Sequence, residues 1–338
     1  MRHLKIILLI FYSQLFFAQN INSYYPLRKV EIGDFLTDKN DTIKNCFLGY
    51  RVYGKVNEDS SNIIFFPTWL AGSSENIGTL LSKYSFIDTN KFLIISIDAL
   101  GNGYSSSPSN TKNFPLITFN DMTRAYYKAL SEKLKISNLY AIVGGSMGGM
   151  TAFNFAVNYP DFAKKIVSYV SSPQLTSYDL LWTNYQISLI EYLISIDAEK
   201  RKIKAFSDII VALIARTPAY INQTISLSDF QNYFNKFYKE PDSIYTLENY
   251  LCQLKAVISF NISKDFNNDL IQAANAVKSK FLIIVSETDM MVNPENAKRF
   301  AEMINSELVV LKNNCGHLAV NCEIDKVREI INNFLSSD

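Results

Sequence analysis

The sequence predicts an α/β fold with a mostly parallel sheet flanked by helices, and three observations carry that expectation. Short β-branched and aromatic runs alternate with helical patterns along most of the 338 residues. Several of the runs are apolar without alternation, as strands buried on both faces of a parallel sheet must be. With 48% hydrophobic residues, the chain can also bury a large core. No internal repeat or low-complexity linker divides it.

In chain order the strands are expected at residues 47–53, 63–66, 92–97, 139–143, 165–170, 281–285 and 308–311. Helices fit between them. Over 121–135, Met122, Ala125, Tyr126, Ala129, Leu130 and Leu134 fall on one stripe, and Thr118 with Asp121 three residues on has the spacing of a capping box. Further helices are expected at 147–157, 294–304 and 324–334, the second opened by Asn293 as N-cap and Pro294 at the first helical position.

Two segments depart from the alternation. Arg2 and Lys5 precede a largely apolar run of 12 residues, 6–17, that ends in Phe16-Phe17-Ala18-Gln19. This is the layout of a secretory signal peptide cleaved after Ala18, and the run is shorter than the ~20 residues of a spanning anchor. The second is residues 173–265, rich in Leu, Ile, Tyr and Phe at helical spacing and without strand alternation. It reads as a helical cap insertion between two core segments, 19–172 and 266–338. Its stripes serve core packing or, with Trp182 and Tyr185 as candidates, line a substrate pocket.

The charge balance narrows the partners. Loss of residues 1–18 leaves 31 basic against 32 acidic side chains, a net charge of −1, with no basic block to neutralise phosphates. Nucleic acid is therefore not an expected partner.

The chemistry gathers at three places. Residues 139–150 join an apolar strand to a helix through Gly144-x-Ser146-x-Gly148. A nucleophile on so tight a turn needs small neighbours, and glycines stand at 144, 145, 148 and 149. A serine hydroxyl needs a base to take its proton. The chain has two histidines, His3 in the leader and His317 in Asn314-Cys-Gly-His-Leu318, just after the last strand. A carboxylate must then orient the imidazole. Asp289 follows the 281–285 strand, and the 27 residues between it and His317 allow one helix and one strand, which return both loops to the same sheet edge. Glu287 is the alternative acid. The order Ser, Asp, His is that of the α/β-hydrolase fold. An oxyanion hole would use the N–H of Met147 and one from the loop after the 63–66 strand, Leu70 first and Trp69 second.

These residues also resemble a family. Gly144-Gly-Ser-Met-Gly-Gly-Met150, with Ala152-Phe153 and Asn158-Tyr-Pro-Asp-Phe162, resembles the homoserine O-acetyltransferase branch of the α/β-hydrolases. Asp98-Ala-Leu-Gly-Asn-Gly-Tyr-Ser-Ser-Ser-Pro-Ser109 resembles a stretch found in hydrolase members of that branch. The resemblance runs from about residue 45 to the C-terminus and weakens through the insertion. It implies Ser146, Asp289 and His317 as the triad, with Leu70 and Met147 as oxyanion donors. It departs from the acetyltransferases at 99–108, where they carry an Asn-x-x-Gly-Gly-Cys stretch leading into Gly-Ser/Thr-Thr-Gly-Pro.

The expectation is thus a secreted serine hydrolase acting on a small-molecule acyl ester, with an O-acyltransferase as the alternative. No cofactor is expected, since no metal-binding cluster or phosphate-cradling loop stands out. Export would expose Cys46, Cys252, Cys315 and Cys322 to an oxidising compartment. Three complete pairings exist, of which Cys315 with Cys322, close in the chain around His317, is the favoured pair; free buried thiols are the equal alternative.

Overall fold

A computed structural model describes residues 25–239 and 246–337. The expected leader at 1–18 lies outside the described residues. Among the described residues eight strands form one sheet: β1 (Arg28–Leu36), β2 (Thr42–Tyr53), β3 (Ile63–Phe65), β4 (Leu93–Ile97), β5 (Leu139–Gly145), β6 (Ala163–Tyr169), β7 (Lys280–Ser286) and β8 (Glu307–Leu311). Their spatial order is β1-β2-β4-β3-β5-β6-β7-β8. The β1/β2 and β2/β4 pairs are antiparallel and every later pair is parallel.

Alternate residues of the central strands enter opposite layers. Phe65, Ile142, Ile166 and Ile283 join one core cluster, whereas Ile64, Val143, Val167 and Ile284 join another. Burial on both faces is why these strands read as continuous apolar runs. The helices that cover them are α1 (Ser74–Tyr84), α2 (Phe119–Tyr127) and α3 (Met147–Asn158). Ile77 and Leu81 of α1 pack on the second face, Met122 and Tyr126 of α2 and Phe153 of α3 on the first. The Thr118–Asp121 capping box forms, with the Asp121 N–H donating to Thr118 Oγ1 at 3.1 Å and the Thr118 N–H to Asp121 Oδ2 at 2.8 Å.

Between β6 and β7 lie α4 (Ser177–Ser195), α5 (Lys200–Ala215), α6 (Pro218–Thr224), α7 (Phe230–Asn235), α8 (Leu247–Val257) and α9 (Leu270–Asn275). Ile187, Ile190, Ile203, Leu247, Tyr250 and Leu254 give α4, α5 and α8 an apolar cluster of their own. Then come α10 (Glu295–Met303), the short α11 (Ala319–Cys322) and α12 (Ile324–Ser336), which returns Val327, Ile331 and Leu335 to the second face. No helix among the described residues is long and apolar enough to cross a membrane.

Four expectations need correction. Strand β1 and the first residues of β2 were not anticipated, because their pairing is interrupted by register shifts at Gly33 and only alternate residues of β1 are buried. Helix α1 was missed, although Ser73 and Asn76 form its capping box. The helix expected over 121–135 starts at Phe119 and turns π-helical over Lys128–Lys133. The N-cap of α10 is Pro294, one residue later than anticipated, while Asn293 Oδ1 accepts the Glu295 N–H at 3.0 Å.

Candidate active site

Ser146 sits between β5 and α3 at φ 52° and ψ −124°. A non-glycine residue is held there at a cost of roughly 1–3 kcal/mol, so its surroundings must impose it. They do so by close approach: a Cβ on Gly144 would lie 2.3 Å from the Gly148 carbonyl oxygen, and one on Gly148 would lie 2.6 Å from that of Pro67. The Ser146 N–H donates to the Tyr169 carbonyl at 3.0 Å, and its own carbonyl accepts the Met150 N–H at 3.0 Å and the Ser171 hydroxyl at 2.8 Å. The side chain is thereby thrust off the sheet edge.

His317 reaches the same edge from the loop after β8. Its Nε2 lies 2.9 Å from Ser146 Oγ and its Nδ1 lies 2.7 Å from Asp289 Oδ2. An ionised carboxylate only accepts, so Nδ1 carries the proton of the neutral ring and Nε2 is left to accept from the serine hydroxyl. The other oxygen of Asp289 accepts the N–H groups of Met291 at 2.8 Å and Val292 at 2.9 Å. Both Asp289 and His317 are buried. Glu287 is exposed, and its N–H extends the sheet by donating to Leu311.

The two loops are joined by a residue that the motif reading overlooked. Thr288 Oγ1 donates to the Asn313 carbonyl at 3.0 Å and accepts the Gly316 N–H at 3.2 Å. Cys315 and Cys322 form a disulfide that closes the histidine loop on itself. Cys46 and Cys252 remain buried free thiols, so no second pairing exists. The segment after α5 braces this loop from outside, where Thr217 Oγ1 donates to the Asn314 carbonyl at 2.5 Å and Asn314 Nδ2 donates to Gln223 Oε1 at 2.8 Å.

Trp182, expected in a substrate pocket, spends its indole N–H on the Met291 carbonyl at 2.9 Å and so braces the acid loop. Asp179, one turn earlier, accepts the Asn293 N–H at 2.9 Å, while burial pushes its carboxyl above the usual range. The Thr176-x-x-Asp179 capping pattern was a legible signal for it. Tyr185 lies farther along α4 and is 51% exposed.

The loop after β3 contains a tight turn from Trp69 to Gly72, closed by a 2.8 Å backbone bond. Among the described residues no group accepts the Leu70 N–H. Met147 opens α3, so its N–H has no intrahelical acceptor. Pro67 of the same loop lies against the first turn of α3. Behind the turn Asp98, wholly buried, accepts the Ser74 N–H at 2.7 Å and hydroxyl at 2.6 Å. Burial pushes its carboxyl up to about 6, against the pull of those bonds and of Arg51.

The chain is similar in sequence and fold to known proteins. The profile of the alpha/beta hydrolase fold family matches residues 62–320. An ethyl acetate hydrolase from Pseudomonas veronii is 26% identical over 328 residues, covering 89% of this chain and 93% of that protein. A homoserine O-acetyltransferase from Nautilia profundicola is 28% identical over 346 residues, covering 86% and 92%. A solved acetylester hydrolase from Corynebacterium glutamicum superposes with a TM-score of 0.81 at 23% identity, over 92% of this chain and 95% of that one.

Proposed function

Because the chain belongs to the alpha/beta hydrolase fold family, we propose that it is an exported serine hydrolase that cleaves an acyl ester through an acyl-enzyme on Ser146. The observation that carries this reading is the chain of contacts from Ser146 Oγ to His317 Nε2 at 2.9 Å and from Nδ1 to Asp289 Oδ2 at 2.7 Å. In it Ser146 Oγ attacks the ester carbonyl carbon as its proton passes to Nε2. The tetrahedral oxyanion is held by the N–H groups of Leu70 and Met147, and Asp289 stabilises the imidazolium. Collapse breaks the bond to the alkoxy oxygen, which takes the proton from Nε2. Water then repeats the sequence in place of the hydroxyl, releasing the acid and restoring Ser146. The helices between β6 and β7 serve as the cap that shapes the acyl site.

Acyl transfer to an alcohol is the second reading, favoured by the Nautilia relative. Two arguments weigh against it. The leader-like residues 1–18 direct the chain away from cytoplasmic acetyl-CoA. Residues 99–108 also depart from the acetyltransferase pattern.

The test supplies purified protein with p-nitrophenyl acetate and, separately, with acetyl-CoA and homoserine. Ester turnover without an added alcohol, with a fluorophosphonate labelling Ser146, supports hydrolysis. Efficient O-acetylhomoserine formation with negligible ester hydrolysis would restore the transferase.

A further inference from the structure

The turn after β3 holds a residue in a conformation that its own side chain disfavours. Ala71 sits at φ +58°, at the third position of the Trp69–Gly72 turn. Glycine is the residue such a position favours, because a Cβ crowds the backbone there. Support for Ala71 comes from far away in the chain: its N–H donates to Oε1 of Gln253 at 2.9 Å, across 182 residues.

Gln253 lies on α8, and only 1% of its surface is exposed. A buried amide is costly unless it is hydrogen-bonded, yet among the described residues its Nε2 has no partner. Ala71 presents an N–H, so the oxygen must face it and the amide orientation is chemically determined. A buried glutamine is thus kept for the one bond it makes to this turn. The far side of the turn is held by the core, where Asn102 Nδ2 donates to the Gly72 carbonyl at 3.2 Å. The near side is held by α8. Leu70, the residue before Ala71, packs against both the main core and the cluster that α8 shares with α4 and α5.

We propose that Gln253 is a positioning residue of the oxyanion turn: by holding the Ala71 N–H it sets the orientation of Leu70, and it makes the oxyanion hole depend on the seating of α8. This rests on the hydrolase reading above, in which the Leu70 N–H faces the oxyanion.

Gln253→Met keeps the length of the side chain and removes the acceptor. It should lower kcat for p-nitrophenyl acetate about 10- to 100-fold, less than the roughly 10²–10³ for outright loss of a donor, while KM changes less than about threefold. Affinity for phenylboronic acid, which forms a tetrahedral adduct on the serine, should fall in parallel. Adding Ala71→Gly should restore most of both losses, because glycine holds the turn unaided. Gln253→Glu, which keeps an acceptor oxygen, should lose less than Gln253→Met, and it supplies the comparison should the latter not fold. A kcat within twofold of the parent at unchanged boronate affinity, or a loss confined to KM, overturns the assignment. If the parent itself neither turns over ester nor takes up fluorophosphonate, the hydrolase reading fails and this one with it.

Discussion

Ser146 carries its hydroxyl on a backbone at φ 52°, and the neighbours that impose this are glycines in van der Waals contact with backbone. Gly144→Ala would place a methyl 2.3 Å from a carbonyl oxygen that cannot move without shifting α3. The expected cost is about 3 kcal/mol or more of stability, at the upper end of overpacking effects, read by urea denaturation. Ser146→Ala and His317→Ala should each reduce kcat on the order of 10⁴-fold or more, and Asp289→Asn by roughly 10⁴-fold, since these groups act as a unit. Glu287→Gln should leave kcat within about twofold, because its side chain faces solvent; a loss comparable to that of Asp289→Asn would exchange the two acids. The structure brings Ser146, His317 and Asp289 together, and each was a candidate in the sequence because its proposed task needs a particular residue type at a strand end. Thr288 and Gln253 were not, because a threonine or glutamine whose task is one hydrogen bond to a distant backbone leaves no local pattern.

The histidine loop is the element on which the site most depends. The disulfide Cys315–Cys322 closes a loop of eight residues around His317, braced by Thr288 on one side and Thr217 on the other. In the chain-entropy model, replacing both cysteines by serine should cost about 2.5 kcal/mol. Alkylation of unreduced protein followed by peptide mass spectrometry checks the bond itself: modification of both cysteines without prior reduction would show that it is absent. The central strands and α3 were readable from their apolar runs, since burial on both faces leaves little room for polar residues. Strand β1 escaped notice because only alternate residues are buried and Gly33 interrupts its pairing. The aromatic residues of α4 showed a helical period but not a role: Trp182 braces the acid loop because α4 crosses Met291, a contact that no spacing encodes.

Across the molecule, Asp98 ties the site's support to pH. Burial raises its carboxyl to about 6 from 3.8, so between about pH 4 and 6 the native chain holds a proton that the unfolded chain has released. Its contribution to stability is therefore full below the unfolded value and is lost as pH rises through about 6. Asp34, Asp59, Asp269 and Glu323, with lowered values, act in the opposite sense. Unfolding free energies for the parent and Asp98→Asn at pH 4 and 7 separate the two. The parent should lose more stability than the variant over that rise, and equal pH dependence would remove Asp98 from the account. By itself the sequence determined the α/β class and the residue types able to do acyl chemistry, because two-sided burial and a strained nucleophile turn each restrict composition locally. Only the tertiary structure decided which carboxylate meets His317, that Trp182 supports the acid loop, and that Gln253 on α8 holds the turn beside Leu70. Those choices depend on where distant segments cross, and a hydrogen bond spanning 182 residues leaves no periodicity to read.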